Sequence, residues 1–324
     1  MLTIIDAQKL INEEIKKLIF ADEPKELYEP IKYMLLLGGK RARPSLTLLA
    51  CNLYKDDVLQ AMKPAIGLEI FHNFTLLHDD IMDNANVRRG KQTVNNKWNT
   101  NVAILSGDAM CIKAYEFIAD CDCNYFKEVF EIYNYTALKV CEGQQLDMNF
   151  ETREKVTVDE YLQMIELKTS SLFAACLKIG AIIGGASKDD AAHLYNFGLN
   201  LGLAFQLQDD LLDVFSDEVI LGKEIGKDIV SNKKTFLLIK ALELAKGKQL
   251  EILNHWLSVK KFNVEEKIKA FQVNYMQLKI REITLKTIES YFLKALEELR
   301  KVNVSEEKKI ELKNFLYSLR NRKY

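Results

Sequence analysis

Proline placement restricts this chain more than any other feature. Pro24, Pro30, Pro44 and Pro64 are the only four in 324 residues, all in the first fifth, and only 14 glycines accompany them. Proline removes a backbone donor and clashes inside a helix, so from about residue 65 onward the chain is free to run in long helices. Apolar residues recur at three- and four-residue spacing in "VDEYLQMIELKTSSLFAACLKIGAII" and "KALEELRKVNVSEEKKIELKNFLYSLR", while alternating runs bounded by turn residues are scarce. The expected fold class is all-α: a single large helical bundle around a central cavity, with residues 1–324 as one domain. The run "SSLFAACLKIGAIIGGA" is rich in Ala, Gly and Ser, which lets helices approach closely and suits the centre of that bundle.

Hydrophobic residues make up 48% of the chain, enough for a sizeable core. Lys and Arg total 45 against 46 Asp and Glu, so bulk charge gives no reason to expect nucleic acid as a partner. Cys51, Cys111, Cys121, Cys123, Cys141 and Cys176 lack zinc spacing and read as reduced, mostly buried thiols of a cytoplasmic protein. The N-terminus does not follow the order of a signal peptide. With no run of about eighteen apolar residues, no membrane span is expected.

The informative stretch is "LLHDDIMDNANVRRG", residues 76–90. Helical positions four apart differ by about 40° of rotation and 6 Å of rise, so Asp79 and Asp83 share a face while Asp80 turns about 100° away. A solvated surface is the usual fate of an isolated DDxxD. Here an apolar run, "AIGLEIFHNFTLLH", precedes it, and the pattern recurs in "LAFQLQDDLLDVF" with Asp209, Asp210 and Asp213. Two such accidents are less probable than one site. Paired carboxylates are hard oxygen ligands suited to Mg²⁺, which takes one or two of them and keeps its other positions for water and phosphate oxygens. Bundle-core metal sites are built this way.

Basic residues suited to phosphate accompany the acidic motifs. "LGGKRARP" carries Lys40, Arg41 and Arg43, Arg88 and Arg89 follow the first motif, and Lys168, Lys223 and Lys233 lie further on. There is no GxxxxGK[ST], HExxH or GxSxG, which removes P-loop nucleotide hydrolase, zinc protease and serine hydrolase readings.

"GGKRARP", "LLHDDIMDNANVRRG", "GQQLD", "LKTSSLF", "FQLQDDLLD" and "GKEIGKDI" resemble the motifs of the trans-isoprenyl diphosphate synthases, or polyprenyl synthetases, in order and approximate spacing over residues 38–235. The resemblance implies that Asp79, Asp83 and Asp209 ligate Mg²⁺, three ions per site, with Asp80, Asp210 and Asp213 orienting waters or ligands. It implies that Arg88, Lys168, Lys223 and Lys233 grip an allylic diphosphate, and that Lys40, Arg43, His72 and Arg89 hold isopentenyl diphosphate. Thr169 and Gln206 would face the developing cation, with Gln144 and Asp147 in support. A homodimer is the family's usual form.

In the family, a bulky residue five before the first aspartate limits the product; here it is Phe74, with Phe71 and Thr75 beside it. Phe74 lies about 7.5 Å and Phe71 about 12 Å down the helix axis from Asp79. Ordinary core packing is the default for two aromatics three apart, but the motif favours a short product, of twenty carbons rather than fifteen. A class I terpene cyclase would carry an Asn/Asp, Ser, Glu triad in place of "DDLLD", and a non-catalytic partner subunit tends to lose its acidic motifs. In the C-terminal "SLRNRKY", Arg320, Arg322 and Lys323 read as a solvated basic tail.

Overall fold

The computed structural model describes residues 2–215 and 226–321. Among these, the only extended elements are β1 (Val87–Arg88) and β2 (Lys91–Gln92), paired antiparallel, and the rest is helix and connections. The all-α expectation therefore holds. The chain divides into two compact units. One comprises Met1–Tyr135, Ala175–Tyr195 and Lys301–Phe315; the other Thr136–Ala174, Asn196–Arg300 and Leu316–Tyr324.

In the first unit, α1 (Ile4–Lys17), α2 (Lys25–Leu36) and α3 (Ala42–Asn52) precede α4 (Met62–Met82). Pro64 sits in the first turn of α4, where a missing amide is tolerated. Every residue from Pro64 to Phe71 is buried, so this helix is a core element that carries its aspartates at the C-terminal end. A short α5 (Val94–Lys97) leads to α6 (Thr100–Ala119), and α7 (Cys123–Thr152) runs from the first unit into the second.

The second unit adds α8 (Val158–Ile165), begun by a reciprocal capping box between Thr157 and Glu160. Its chain continues through a π-helical turn, Glu166–Ser170, into α9 (Ser171–Gly184) and then α10 (Lys188–Phe215), which carries the second acidic motif. The small-residue run packs closely, as expected. A Cβ on Gly180 would fall 2.1 Å from the Thr47 carbonyl oxygen, so only glycine allows α9 its approach to α3.

Two expectations need correction. Arg41, offered above as a phosphate ligand, is a buried structural cation, 4% exposed. It donates to Glu69 Oε1 at 2.7 Å, to the Leu35 carbonyl at 2.5 Å and to Asn12 Oδ1 at 3.1 Å, and Asn73 completes Glu69 at 3.1 Å. Of the cysteines, only Cys51 and Cys176 are buried, while Cys123 and Cys141 are exposed. Among the described residues, one helical stretch, Val158–Gly184, is by length and composition apolar enough to cross a membrane, and 78% of its most apolar part is buried inside the protein. Packing in the core accounts for that apolarity.

Breaking a buried ion pair leaves one charge uncompensated, at a cost of about 3–5 kcal/mol. Arg41→Met is expected to lose about that much in urea denaturation, and Arg41→Met/Glu69→Met to recover much of it; a single-variant loss under about 1 kcal/mol would contradict the structural role.

Candidate active site

The first acidic motif closes α4. Asp83 is the C-cap, and its amide donates to the Asp79 carbonyl at 2.8 Å. Asp80 is 2% exposed and is held by Arg88, whose Nε lies 2.9 and 2.8 Å from the two carboxylate oxygens and whose Nη2 lies 2.8 Å from Oδ1. Burial pushes the Asp80 carboxyl upward, and Arg88 offsets only part of that.

The segment after this motif is a hairpin. Val87 pairs with Gln92 and Arg88 with Lys91, leaving Arg89 and Gly90 at the tip with φ of 52° and 72°. Two successive left-handed residues match a type I′ turn, the tight connection that suits strand twist. The turn sends the adjacent arginines different ways: Arg88 goes to Asp80, while Arg89 donates to the Gly38 carbonyl of the loop that precedes Lys40. Arg43 donates from Nη1 to His72 Nε2 at 3.1 Å, so the imidazole accepts at that nitrogen. Burial, then the charges of Arg43, Arg89, Arg88 and Arg41, hold His72 well below its ordinary pKa and therefore neutral. Lys40, Arg43, His72, Arg88 and Arg89 thus all belong to the first unit, and the four arginines there act on one imidazole.

On the same helix, Phe71 is fully buried and Phe74 half-buried, their ring centroids 5.5 Å apart. Thr75 hydrogen-bonds the His72 carbonyl at 2.8 Å. Behind Phe71 stands a second aromatic layer that the sequence reading missed: Tyr133 at 5.5 Å, itself 4.8 Å from Tyr115. Those tyrosines come from α7 and α6, remote in sequence from the motif.

In the second unit, Asp210 is 4% exposed and accepts hydrogen bonds from the Tyr161 hydroxyl and from Gln206 Nε2, the latter at 3.0 Å. Thr169 donates to Gln206 Oε1 at 3.1 Å, and Lys168 pairs with Asp147 at 2.8 Å. Both Lys168 and Thr169 lie in the π-helical turn, a distortion that frequently marks functional positions. Burial alone would raise Asp147, but Lys233 and Lys168 together pull it below its ordinary value.

Asp213 accepts from the Asp228 amide at 3.0 Å through its side chain and from the Gly226 amide at 2.7 Å through its carbonyl. That brings in Asp228, a residue the sequence reading quoted within "GKEIGKDI" but did not single out. Burial first and the Asp228 charge second push Asp210 up to about 7 and Asp213 up to about 6. Lys223, Arg322 and Lys323 lie outside the described residues.

Among the described residues, no three carboxylate, histidine or cysteine side chains are gathered closely enough to hold a metal unaided. The donor set still fits Mg²⁺: it is all oxygen, with Asp79 and Asp83 one turn apart at the C-terminal end of α4, and Mg²⁺ draws most of its ligands from water and phosphate.

Residues 24–275 match the polyprenyl synthetase family. The chain belongs to that family. The chain is 40% identical over 258 residues to a geranylgeranyl diphosphate synthase of Methanosarcina mazei, covering 78% of this chain and 79% of that one. Against a geranylgeranyl diphosphate synthase of Sulfolobus acidocaldarius it is 37% identical over 303 residues, 90% and 89% of the two chains. A crystal structure of a geranylgeranyl pyrophosphate synthase superimposes with a TM-score of 0.95 at 45% identity, covering 100% of both. The protein is a prenyltransferase.

The raised carboxyls have a consequence for metal-free protein. A carboxyl with a folded pKa near 7 and an unfolded pKa of about 3.9 binds more protons when folded, so its contribution to stability falls as pH rises between those values. In chelator, the Tm of wild type relative to Asp210→Asn is expected to fall between pH 5 and pH 8. Parallel profiles would show that Asp210 is not held protonated by its surroundings.

Proposed function

We propose that the protein condenses isopentenyl diphosphate with an allylic diphosphate, head to tail, to give a short all-trans prenyl diphosphate of twenty carbons, with release of diphosphate. The observation that carries this reading is the division of its basic side chains. Arg43, His72 and Arg89 gather near the loop that bears Lys40, whereas Lys168 and Lys233 act on Asp147 and Arg88 on Asp80. Two sets of cations call for two anions.

In this assignment Lys40, Arg43, His72 and Arg89 hold isopentenyl diphosphate. Arg88, Lys168, Lys223 and Lys233 hold the allylic diphosphate. Asp79, Asp83 and Asp209 would ligate Mg²⁺, three ions per site, while Asp80, Asp210 and Asp213 stay committed to orienting roles. When bound, Mg²⁺ supplies charge neutralisation for the departing diphosphate. The chain's own cations add to that electrostatic help. Thr169 and Gln206 present oxygen dipoles to the allylic carbon as positive charge develops. Arg43 and the neutral His72 fix the second substrate so that its double bond meets that carbon in near-attack geometry. Apolar α4 side chains keep water from capturing the cation, and the proton lost last goes to the released diphosphate.

Phe74, backed by Phe71, Tyr133 and Tyr115, supports a short product, as do the names of the relatives above. The α6 face carrying Leu105 and Ile112, 61% and 64% exposed and seven residues apart, supports a homodimer. Six free cysteines support a cytoplasmic location.

Incubation with Mg²⁺, isopentenyl diphosphate and dimethylallyl, geranyl or farnesyl diphosphate, followed by product chromatography, tests the reading. Geranylgeranyl diphosphate is the expected product; cyclised hydrocarbon, or nothing, would favour a cyclase or a non-catalytic subunit. Asp79→Asn is expected to lower kcat by at least about 10²-fold, the scale on which lost transition-state charge stabilisation is felt. Phe74→Ala is expected to lengthen the product, and unchanged length would remove Phe74 as the floor. Leu105→Glu/Ile112→Glu is expected to yield monomers in sedimentation, whereas an unaltered dimer would place the interface elsewhere.

A further inference from the structure

Lys267, on the helix Val264–Gln277, has no role in the chemistry described so far, yet it is 0% exposed. A buried ammonium is expensive unless it is well partnered. Its partners are the Val230 carbonyl at 3.2 Å, Asn232 Oδ1 at 2.6 Å and the face of Phe262 at 4.2 Å from the ring centroid. None of them is a carboxylate. Burial accordingly lowers the Lys267 pKa, with no counter-charge to oppose it.

One oxygen partner is on the last residue of the one-turn helix Lys227–Val230 and the other lies two residues beyond it, both within the turn that spans residues 226–233. That turn is sharply bent, with φ of 78° at Gly226 and 57° at Asn232. It is closed by the Lys233 amide on the Asp228 carbonyl at 2.9 Å and tied down by Asn232 Nδ2 on the Leu257 carbonyl at 3.2 Å. Gly226 is seated so closely on the Lys267 helix that a Cβ there would lie 2.7 Å from Ile268 Cδ1.

The turn also delivers Asp228 to Asp213, and Asp228 is the carboxylate whose charge bears on both Asp210 and Asp213. Like charges brought together in a desolvated place repel, which weakens the hold that the Asp228 and Gly226 amides have on Asp213. Attachment on the far side adds to that hold. We propose that Lys267 is a positioning residue: it clamps the 226–233 turn from the helix behind, so that Asp228 and Lys233 stay presented to the second acidic motif. An ammonium is suited to this task because it has three donors and sits where the last carbonyls of the short helix point. An apolar residue of the same length would fill the space and leave those oxygens unpaired.

The inference rests on the reading that Lys233 grips the allylic diphosphate beside the second acidic motif, so the experiment reports on both separately. Magnesium pyrophosphate is titrated calorimetrically into the full-length protein, and KM is measured for each substrate. Lys267→Met is expected to weaken pyrophosphate binding by about tenfold, about 1.4 kcal/mol, and to raise KM for the allylic diphosphate while KM for isopentenyl diphosphate stays put. Lys267→Arg, which keeps a charged donor, is expected to recover most of the affinity. Asn232→Ala removes the acceptor instead of the donor and should shift the same quantities; it decides the matter if Lys267→Met fails to fold. Wild-type affinity in the folded variants, or an equal rise in both KM values, would overturn the positioning role alone. Wild-type protein that fails to bind magnesium pyrophosphate would overturn the underlying reading along with it.

Discussion

Buried negative charge is the constraint to which both acidic regions answer. A carboxylate taken out of water must be paired, hydrogen-bonded or protonated. Asp80 takes the first route, with three short contacts to one guanidinium. Asp210 takes the second, held by a phenol and an amide, and burial together with the Asp228 charge still drives it toward protonation. These aspartates are committed inside the protein. The division leaves Asp79, Asp83 and Asp209 as the positions assigned to cations, and it explains why one DDxxD needs aspartates with unlike duties.

Much of this was legible in the sequence because it depends on local spacing. Prolines confined to the first 64 positions announced helices, and the six ordered motifs announced the polyprenyl synthetase family. What escaped notice depends on contacts made across long separations. Tyr161 and Asp210 are 49 residues apart, and Asp213 and Asp228 are 15 apart. Arg41 and Arg43 look alike in "KRARP", yet one is consumed by Glu69 while the other meets His72, a distinction drawn by a left-handed residue at the start of α3. No periodicity predicts which of two neighbouring arginines will be buried.

Arg88 and Arg89 show the reverse case. Resemblance to a family assigned them to different substrates, and a two-residue turn with both φ values positive supplies the physical reason they part. Chain length has a similar history. Phe74 was visible because it sits at a fixed distance from the first motif, while Tyr133 and Tyr115 became visible only once α6 and α7 were packed against α4. Local order in the sequence names the residues nearest the chemistry, and the fold adds the layer behind them.

The central claim is that Asp79, Asp83 and Asp209 take the cations while Asp80 and Asp210 stay tied to Arg88 and Tyr161. Anomalous diffraction from crystals grown with Mn²⁺ and pyrophosphate tests it directly. Peaks at about 2.0–2.3 Å from oxygens of Asp79, Asp83 and Asp209, with the Arg88 and Tyr161 contacts intact, are the predicted result. Metal bound instead to Asp80 or Asp210 with those contacts broken, or no metal at either motif, would contradict it.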